Sequence, residues 1–340
     1  MVTRVFRGVA AGLLALSALH AATGKGKTPP VAGPKQGVKT PGIQIPFANV
    51  KAEATIPAPD KPAWLFFASG GPGTVYFPAP EKLEKIDAKS NKPGDPVAGL
   101  KKPCGGMVSA FGSLWLPTCG DGSLQRLDPK TLKITATVPA GTGTVTGTIA
   151  ASADSVWLLT DDKATLSRID PDANAVAAEF RLPAGCQSLI FAETALWIAC
   201  PGMNKVLKVN PETNIVDKRV EVSAGPFALA AGQGSIWVLC GKEGKVDRID
   251  PKTDKVTKTI DLAAPAAEGG IAFGEGYLWV TMTGFPLTRI DVATETVAQQ
   301  FWGEGGGAIQ TSAGAIWLSN RNSGAISRID PKLILATLAE

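Results

Sequence analysis

Histidine is almost absent from this 340-residue chain, and the one histidine, His20, lies in a segment that we expect to be removed. A mature chain without histidine excludes Ser-His-Asp and Cys-His catalysis, histidine-ligated zinc and a histidine general base. The sequence also lacks the Cys-x-x-Cys-His haem motif, zinc-ligand cysteine spacing and a P-loop. We therefore predict no catalytic residue, no bound metal and no cofactor.

A strong charge of either sign is missing as well. The formal net charge is +4, and it falls to −2 once Arg4, Arg7 and the four lysines of residues 24–49 are set aside. Nucleic-acid binding requires a basic face. The nearly neutral body therefore argues against DNA or RNA as a partner.

Long apolar runs are also missing. Residues 8–19 form a short apolar stretch behind Arg4 and Arg7, followed by the small residues Ala21 and Ala22. This pattern is typical of a cleaved secretory signal, which we place at residues 1–22, and an uncut membrane anchor is the alternative. Residues 23–49, rich in Pro, Gly and Lys, are predicted to be a flexible linker. The sequence thus predicts a periplasmic or extracellular protein with no membrane span after cleavage.

What the sequence does contain is a repeat of about 40 residues. A tryptophan in an apolar run recurs, and about ten residues later comes Arg-Ile-Asp-Pro or a variant of it. The tryptophans are Trp115, Trp157, Trp197, Trp237, Trp279 and Trp317. Tyr76 marks a degenerate seventh copy, and the spacings between markers are 38 to 42 residues. Trp64 breaks this rhythm and is assigned to the strand preceding the marker.

Each copy divides into four short strands. In the fifth copy we predict strands at 227–231, 235–240, 245–250 and 255–261, with turn chemistry at Asp250-Pro251. Four strands per 40 residues are typical of a propeller blade. We therefore predict an all-β, seven-bladed β-propeller of four-stranded antiparallel blades at residues 50–340. Either residues 51–56 or residues 334–338 supply the outer strand that closes the ring.

The apolar tryptophan strands are expected to pack between blades, because a strand that is apolar on both faces must be buried on both. A residue that recurs in every blade cannot mark one unique site. We therefore predict structural roles for the repeated Trp, Arg and Asp.

Five cysteines remain for pairing. In two blades one cysteine starts the innermost strand and another ends its hairpin partner, which predicts the disulfides Cys104–Cys119 and Cys186–Cys200. Each closes a loop of about 15 residues and contributes roughly 3 kcal/mol in the chain-entropy model. Cys240 faces Pro226 and is predicted to be a buried, inert thiol.

Ligands of propellers generally meet the face where the innermost strands begin, around the central channel. We call this face the mouth. Aligning the copies places a set of non-repeating polar and aromatic residues there, which we predict to bind a ligand. They are Asp121, Asp161, Asp162, Glu268, Phe285, Trp302, Glu304, Arg321 and Asn322. Asp161, Asp162 and Glu268 are also an alternative set of oxygen ligands for Ca²⁺, although they lack the spacing of a Ca²⁺ motif.

The pattern Gly-Ser-Ile-Trp-Val at residues 234–238, followed by Arg-Ile-Asp-Pro-x-Thr and Val-x-x-Thr-Ile, resembles the YVTN-type, YncE-like bacterial propellers. It is also similar to the propeller of virginiamycin B lyase, over about residues 50–340. That resemblance implies metal-assisted ring opening by histidine and glutamate, but the mature chain has no histidine, so no catalytic residue is carried over.

Three functions stay open at this point. The first is a non-enzymatic scaffold that binds a small molecule or an envelope protein. The second is a carboxylate- or metal-dependent lyase or lactonase. The third is a structural envelope protein tethered by its N-terminal segment.

Overall fold

The computed structural model describes residues 35–68, 73–141, 148–160, 165–312 and 314–337. The strands are numbered in chain order. Two short strands precede the blades, β1 (Gln44–Pro46) and β2 (Ala54–Pro57), with a single 3-10 turn at Phe47–Asn49 between them. The described residues then form seven small antiparallel sheets, so the chain is a seven-bladed β-propeller as the repeat predicts.

The blades follow one another along the chain, and within each blade the strands run from the channel outwards. Blades 1 to 3 consist of β3 (Phe66–Ala68), β4 (Thr74–Ala79), β5 (Lys82–Asp87), β6 (Lys92–Pro93) and β7 (Val97–Ala98); β8 (Val108–Ala110), β9 (Ser113–Thr118), β10 (Ser123–Leu127) and β11 (Ile134–Pro139); and β12 (Ile149–Ala151), β13 (Val156–Leu159), β14 (Thr165–Asp170) and β15 (Ala175–Arg181). Blades 4 and 5 consist of β16 (Ser188–Ala192), β17 (Ala195–Cys200), β18 (Lys205–Asn210) and β19 (Ile215–Glu221), then β20 (Pro226–Gly232), β21 (Ser235–Cys240), β22 (Lys245–Asp250) and β23 (Lys255–Asp261). Blades 6 and 7 contain β24 (Gly269–Gly274), β25 (Tyr277–Met282), β26 (Phe285–Asp291) and β27 (Thr296–Trp302), then β28 (Ile309–Ser312), β29 (Ala315–Asn320) and β30 (Ala325–Ile329).

The ring closes through the N-terminal part of the chain. The innermost strand of blade 7, β28, contacts β3 of blade 1. Strand β2 pairs antiparallel with β30 as the outer strand of blade 7, and Glu53 forms an ion pair with Arg328 beside it. Of the two candidates for closing the ring, the segment at residues 51–56 is therefore correct.

The other candidate, residues 334–338, does not form that strand. Residues Pro331–Leu335 form helix α1, and the side chain of Asp330 caps its start by accepting a hydrogen bond from the backbone N–H of Lys332. Pro331 at the first helical position suits this start because it has no N–H to lose. Ile334 anchors the helix in the core between blades 6 and 7. Among the described residues no helix has the length and apolarity needed to cross a membrane.

The tryptophans form the core between blades, as expected. The six marker tryptophans are each at most 1% exposed, and a basic side chain from the third strand of the same blade lies over five of these rings at 4.9 to 5.7 Å. Tyr76 of blade 1 is also buried, at 4% exposure. Trp64 is buried two residues before β3 rather than within a strand.

The same basic side chains reach across to the next blade. Lys208 Nζ donates to Pro251 O at 2.8 Å and to Asp254 Oδ1 at 2.6 Å, in the turn between the last two strands of blade 5. Arg126, Arg168, Arg248 and Arg328 make the corresponding contacts to the blade that follows. Each cation thus joins a tryptophan of its own blade to a turn of its neighbour, which explains why the pair recurs.

Part of the predicted linker has a defined position. Strand β1 pairs in parallel with β27 and adds a fifth strand to blade 6, and Ile45 is buried in the core. Gly37 N donates to Ala263 O, and Val38 N donates to Gln300 Oε1. This differs from the flexible linker expected for residues 23–49, because Pro- and Gly-rich composition does not prevent a short segment from pairing with a free sheet edge. The predicted signal at residues 1–22 lies outside the described residues.

Candidate functional site

A cavity of about 260 Å³ lies at the centre of the mouth. Its walls come from blades 4 to 7 and from the segment entering blade 1. The lining residues are Ala63, Gln187, Phe227, Ala267, Glu268, Gly269, Thr283, Gly306, Gly307, Ala308 and Arg321. Most of them stand at the beginning of an innermost strand, which is where the repeat alignment predicts a site.

An ion pair forms the charged part of this cavity. Arg321, directly after β29 of blade 7, donates from Nη1 to Oε2 of Glu268, in the segment entering blade 6, at 3.0 Å. The two side chains are 44% and 67% exposed. Among the described residues this is the one hydrogen bond that either side chain makes. Oxygen Oε1 of Glu268 and the remaining N–H groups of Arg321 are therefore available to a ligand.

The glycine-rich loop before blade 7 makes room for the cavity. A Cβ atom at Gly306 would lie 2.7 Å from Met282 O, and one at Gly307 would lie 2.6 Å from Ser319 O. Gly306 also has a φ of +100°, which disfavours residues with side chains. These glycines let the loop pass close to the backbones of blades 6 and 7, and so the loop forms a wall without side chains.

The structure brings together only some of the predicted site residues. Glu268 and Arg321 line the cavity, and their binding role stays a prediction. Exposed Asp121 accepts a hydrogen bond from Thr118 Oγ1 at 2.7 Å in blade 2, and Glu304 is exposed beside the glycine loop. Neither lines the cavity. The backbone N–H of Asn322 donates to Asn320 Oδ1 in a tight turn.

Of the two aromatic members of the predicted set, Phe285 is buried in the core and Trp302 packs against it. Phe285 is 2% exposed, because β26 begins at this residue and the strand directs the ring inwards. A Cβ at Gly37 would lie 2.7 Å from its Cζ, so Gly37 of the N-terminal segment lies against the ring. Trp302 is half-buried against the core between blades 5 and 6. Asp161 and Asp162 lie outside the described residues, and within the described ranges no three His, Cys, Asp or Glu side chains are grouped to hold a metal ion.

Sequence reasoning missed Gln187, Phe227 and Thr283. Gln187 and Phe227 directly follow Cys186 and Pro226, the positions that the repeat alignment selects. In these two blades the alignment therefore selects the residue that precedes the one lining the cavity. The alternation of side chains along a strand sends neighbouring residues to opposite faces, and this signal could have separated the two positions.

The two predicted disulfides are confirmed. They join Cys104 to Cys119 and Cys186 to Cys200, with Cα separations of 5.9 and 4.0 Å. Both lie on the mouth side, where they fix the start of an innermost strand to the end of its partner. The second bridge thereby holds Gln187 at the cavity.

Cys240 is free and fully buried, as predicted. Burial raises the pKa of its thiol, and the nearby carboxylate of Asp247 raises it further. Asp247 is itself buried and accepts hydrogen bonds from the backbone N–H and hydroxyl of Ser223 and from Thr259 Oγ1. A thiol with a raised pKa is a poor nucleophile, which supports an inert role.

The architecture and its mouth allow a comparison with known proteins. A repeat of unknown function, DUF6923, matches residues 202–332. These residues run from the turn before the third strand of blade 4 through blade 7 and make up less than half of the chain, so the match identifies the repeat rather than an activity. Among the curated proteins no relative matches the chain.

Solved structures confirm the propeller fold. A chain in the crystal structure of a mitotic checkpoint complex superposes with a TM-score of 0.71 at 11% identity, covering 92% of this chain and 98% of that one. A chain of hydrazine synthase from Kuenenia stuttgartiensis gives a TM-score of 0.58 at 13% identity, covering 66% and 75%. Identities this low establish the fold alone.

Proposed function

We propose that the protein is a periplasmic or extracellular binding propeller that presents its mouth cavity to a small polar molecule or to a segment of an envelope protein. The observation that carries this proposal is the 260 Å³ cavity at the channel mouth, with the Glu268–Arg321 ion pair in its wall. Concave sites with a few convergent polar groups are typical of ligand binding. The core tryptophans and their cations are occupied in holding the blades together.

The cysteines support the proposed compartment. Two disulfides are formed, and the remaining thiol is buried. Structural disulfides persist in oxidising compartments and are rare in the cytosol. Together with the predicted signal at residues 1–22, they favour secretion.

The repeat pattern also favours a place among the YVTN-type, YncE-like propellers, to which the sequence is similar. The related enzymatic alternative is a lyase or lactonase that uses the carboxylate of Glu268. In the structure this carboxylate is engaged by Arg321, and Asp247, a buried carboxylate of blade 5, is engaged by Ser223 and Thr259. Glu268 is the one carboxylate in the described lining of the cavity, so that lining holds no pair of carboxylates for acid–base chemistry, and we propose binding without turnover.

A binding screen with mouth variants tests this proposal. The full chain is heated with a panel of amino acids, sugars, nucleosides, dicarboxylates and lactones, and unfolding is followed by tryptophan fluorescence. We expect a saturable rise in melting temperature with at least one class, and we expect Glu268→Gln or Arg321→Gln to abolish it. Glu221→Gln, which breaks the exposed Lys205–Glu221 ion pair on blade 4, is the matched control.

Two results would contradict the proposal. One is binding that persists unchanged in both mouth variants, which would place the ligand elsewhere. The other is turnover of a lactone that is lost on Glu268→Gln, which would favour the enzyme.

A further inference from the structure

We infer that the mouth cavity takes a zwitterion, a small molecule that carries an ammonium group next to a carboxylate, such as a free α-amino acid. This inference rests on the proposed function and names the class of its ligand. It depends on the charge balance, the free hydrogen-bonding groups and the size of the cavity.

The charge balance of the cavity is the first argument. Among the described residues of its wall, Glu268 and Arg321 are the two ionisable ones, and their charges cancel. A ligand with a net negative charge meets the carboxylate of Glu268, and a ligand with a net positive charge meets the guanidinium of Arg321. Like-charge contacts of this kind are how binding sites reject the wrong partner. A ligand of zero net charge that carries both signs meets neither penalty.

The free groups of the ion pair give the second argument. The pair is held by one hydrogen bond between Nη1 and Oε2, so Oε1 of Glu268 and the Nη2 and Nε groups of Arg321 are open. A guanidinium binds a carboxylate through two parallel N–H bonds, and a carboxylate oxygen accepts from an ammonium group. In an α-amino acid these two groups are attached to one carbon. The ligand can therefore lie against the pair with its charges reversed, so that each charge meets its opposite.

Size and the remaining wall give the third argument. The cavity of about 260 Å³ lies near the lower end of the range of small-molecule pockets, about 300–1,000 Å³, which suits a single amino acid rather than a folded segment. Phe227, Ala63 and Ala267 supply apolar surface for a side chain. Aromatic pairs add to affinity beyond the area they bury, which makes phenylalanine a suitable probe.

Four forms of phenylalanine separate charge from shape. At about pH 6, where an α-amine next to an amide is protonated, free phenylalanine is the zwitterion, N-acetyl-phenylalanine is the anion, phenylalanine amide is the cation, and N-acetyl-phenylalanine amide is neutral. Titration calorimetry on the full chain is expected to show that the zwitterion binds at least ten-fold more tightly than any of the other three. The Glu221→Gln control should bind all four forms as the wild type does.

Single charge removal at the mouth should then change the preference. Glu268→Gln leaves Arg321 unbalanced, so the anion should become the preferred form. Arg321→Gln leaves Glu268 unbalanced, so the cation should become the preferred form. A merely structural role of the ion pair would weaken all four forms together and would not exchange their order.

Several outcomes overturn the inference. They are equal binding of the neutral and zwitterionic forms, an order that both variants leave unchanged, or no binding of any form. If no form binds but another class in the screen binds and is lost in both mouth variants, the zwitterion inference fails while the proposed function stands. If no class binds at the mouth, both fail.

Discussion

A third disulfide can be installed in blade 5 by the single substitution Pro226→Cys. Pro226 lies directly opposite Cys240 in the β20–β21 hairpin, and Gly241 N donates to Gly225 O beside this pair. In blade 4, Gln187 N donates to Ala199 O beside the pair Cys186 and Cys200, on the opposite side of that pair. Both are therefore non-hydrogen-bonded antiparallel pairs, whose Cα atoms are about 4.5 Å apart. That separation allows a disulfide.

The expected gain follows from the loop that the bridge closes. Residues 226 and 240 are 14 positions apart, as are Cys186 and Cys200, and such a loop gives about 3 kcal/mol in the chain-entropy model. Replacing proline increases the conformational entropy of the unfolded chain, which lowers the stability by about 0.4–1 kcal/mol. Cys240 gives up a weak contact to Asp247, whose carboxylate keeps its donors from Ser223 and Thr259. A net gain of about 2 kcal/mol corresponds to about 3 °C in melting temperature for a domain of this size.

Two measurements check the prediction. Titration of free thiols in the denatured, oxidised protein should find one thiol in the wild type and in Pro226→Ser, and none in Pro226→Cys. Thermal unfolding should then place Pro226→Cys about 5 °C above the serine control, and a reducing agent should remove that difference. Two free thiols in Pro226→Cys would refute the proposed equivalence of blades 4 and 5.

Two further predictions concern the contacts that repeat around the ring. Lys208→Met removes the bonds to Pro251 and Asp254 but keeps an apolar stem over the tryptophan. In a denaturant titration it should lower the free energy of unfolding by about 1–2 kcal/mol. Lys218→Met, at an exposed position, is the control and should leave the free energy of unfolding unchanged. In the turns that follow the third strands, backbone N–H groups lower the pKa of an aspartate, as Lys252 N does for Asp250. A lowered pKa gives stability that is present above the unfolded value near 3.9 and is lost as the pH falls through the folded pKa. Melting temperature should therefore fall below about pH 4, and it should fall less when the turn aspartates are replaced by asparagine. An equal fall in the two proteins would contradict this reasoning. The aspartates are Asp87, Asp128, Asp170, Asp250 and Asp291.

The repeat made the blades predictable from the sequence because each copy carries the same burial pattern. The second, third and fourth strands of blade 5 agree with the structure residue for residue. The first strand, predicted at 227–231, is Pro226–Gly232. The disulfides were predictable for the same reason, since one alignment fixes which cysteines face each other. Glu268 and Arg321 come from different blades, and the alignment brought them to one face without showing that they touch.

What could not be predicted lies where the repeat ends or is interrupted. Strand β1 is three residues long and buries chiefly Ile45, too little to give a periodic signal in a Pro- and Gly-rich segment. Asp330-Pro331 begins a helix, whereas Asp250-Pro251 begins a turn, because no strand follows the former in its blade. The alignment predicts a position at the mouth for Phe285, since an alignment gives a position along the strand but not the direction of its first side chain.

The pairing of β2 with β30 also determines how late during synthesis the ring can close. About 270 positions separate Pro57 from its partner Ala325. At a synthesis rate of about 5–20 residues per second, the ribosome needs about 15 to 55 seconds to produce the partner after β2 has been made. During that interval β2 has no strand to pair with, and blade 7 does not exist. The nascent protein therefore passes through an incomplete ring of blades with an unpaired strand at its N-terminal end. A chaperone that shields this strand would act before synthesis of the chain ends.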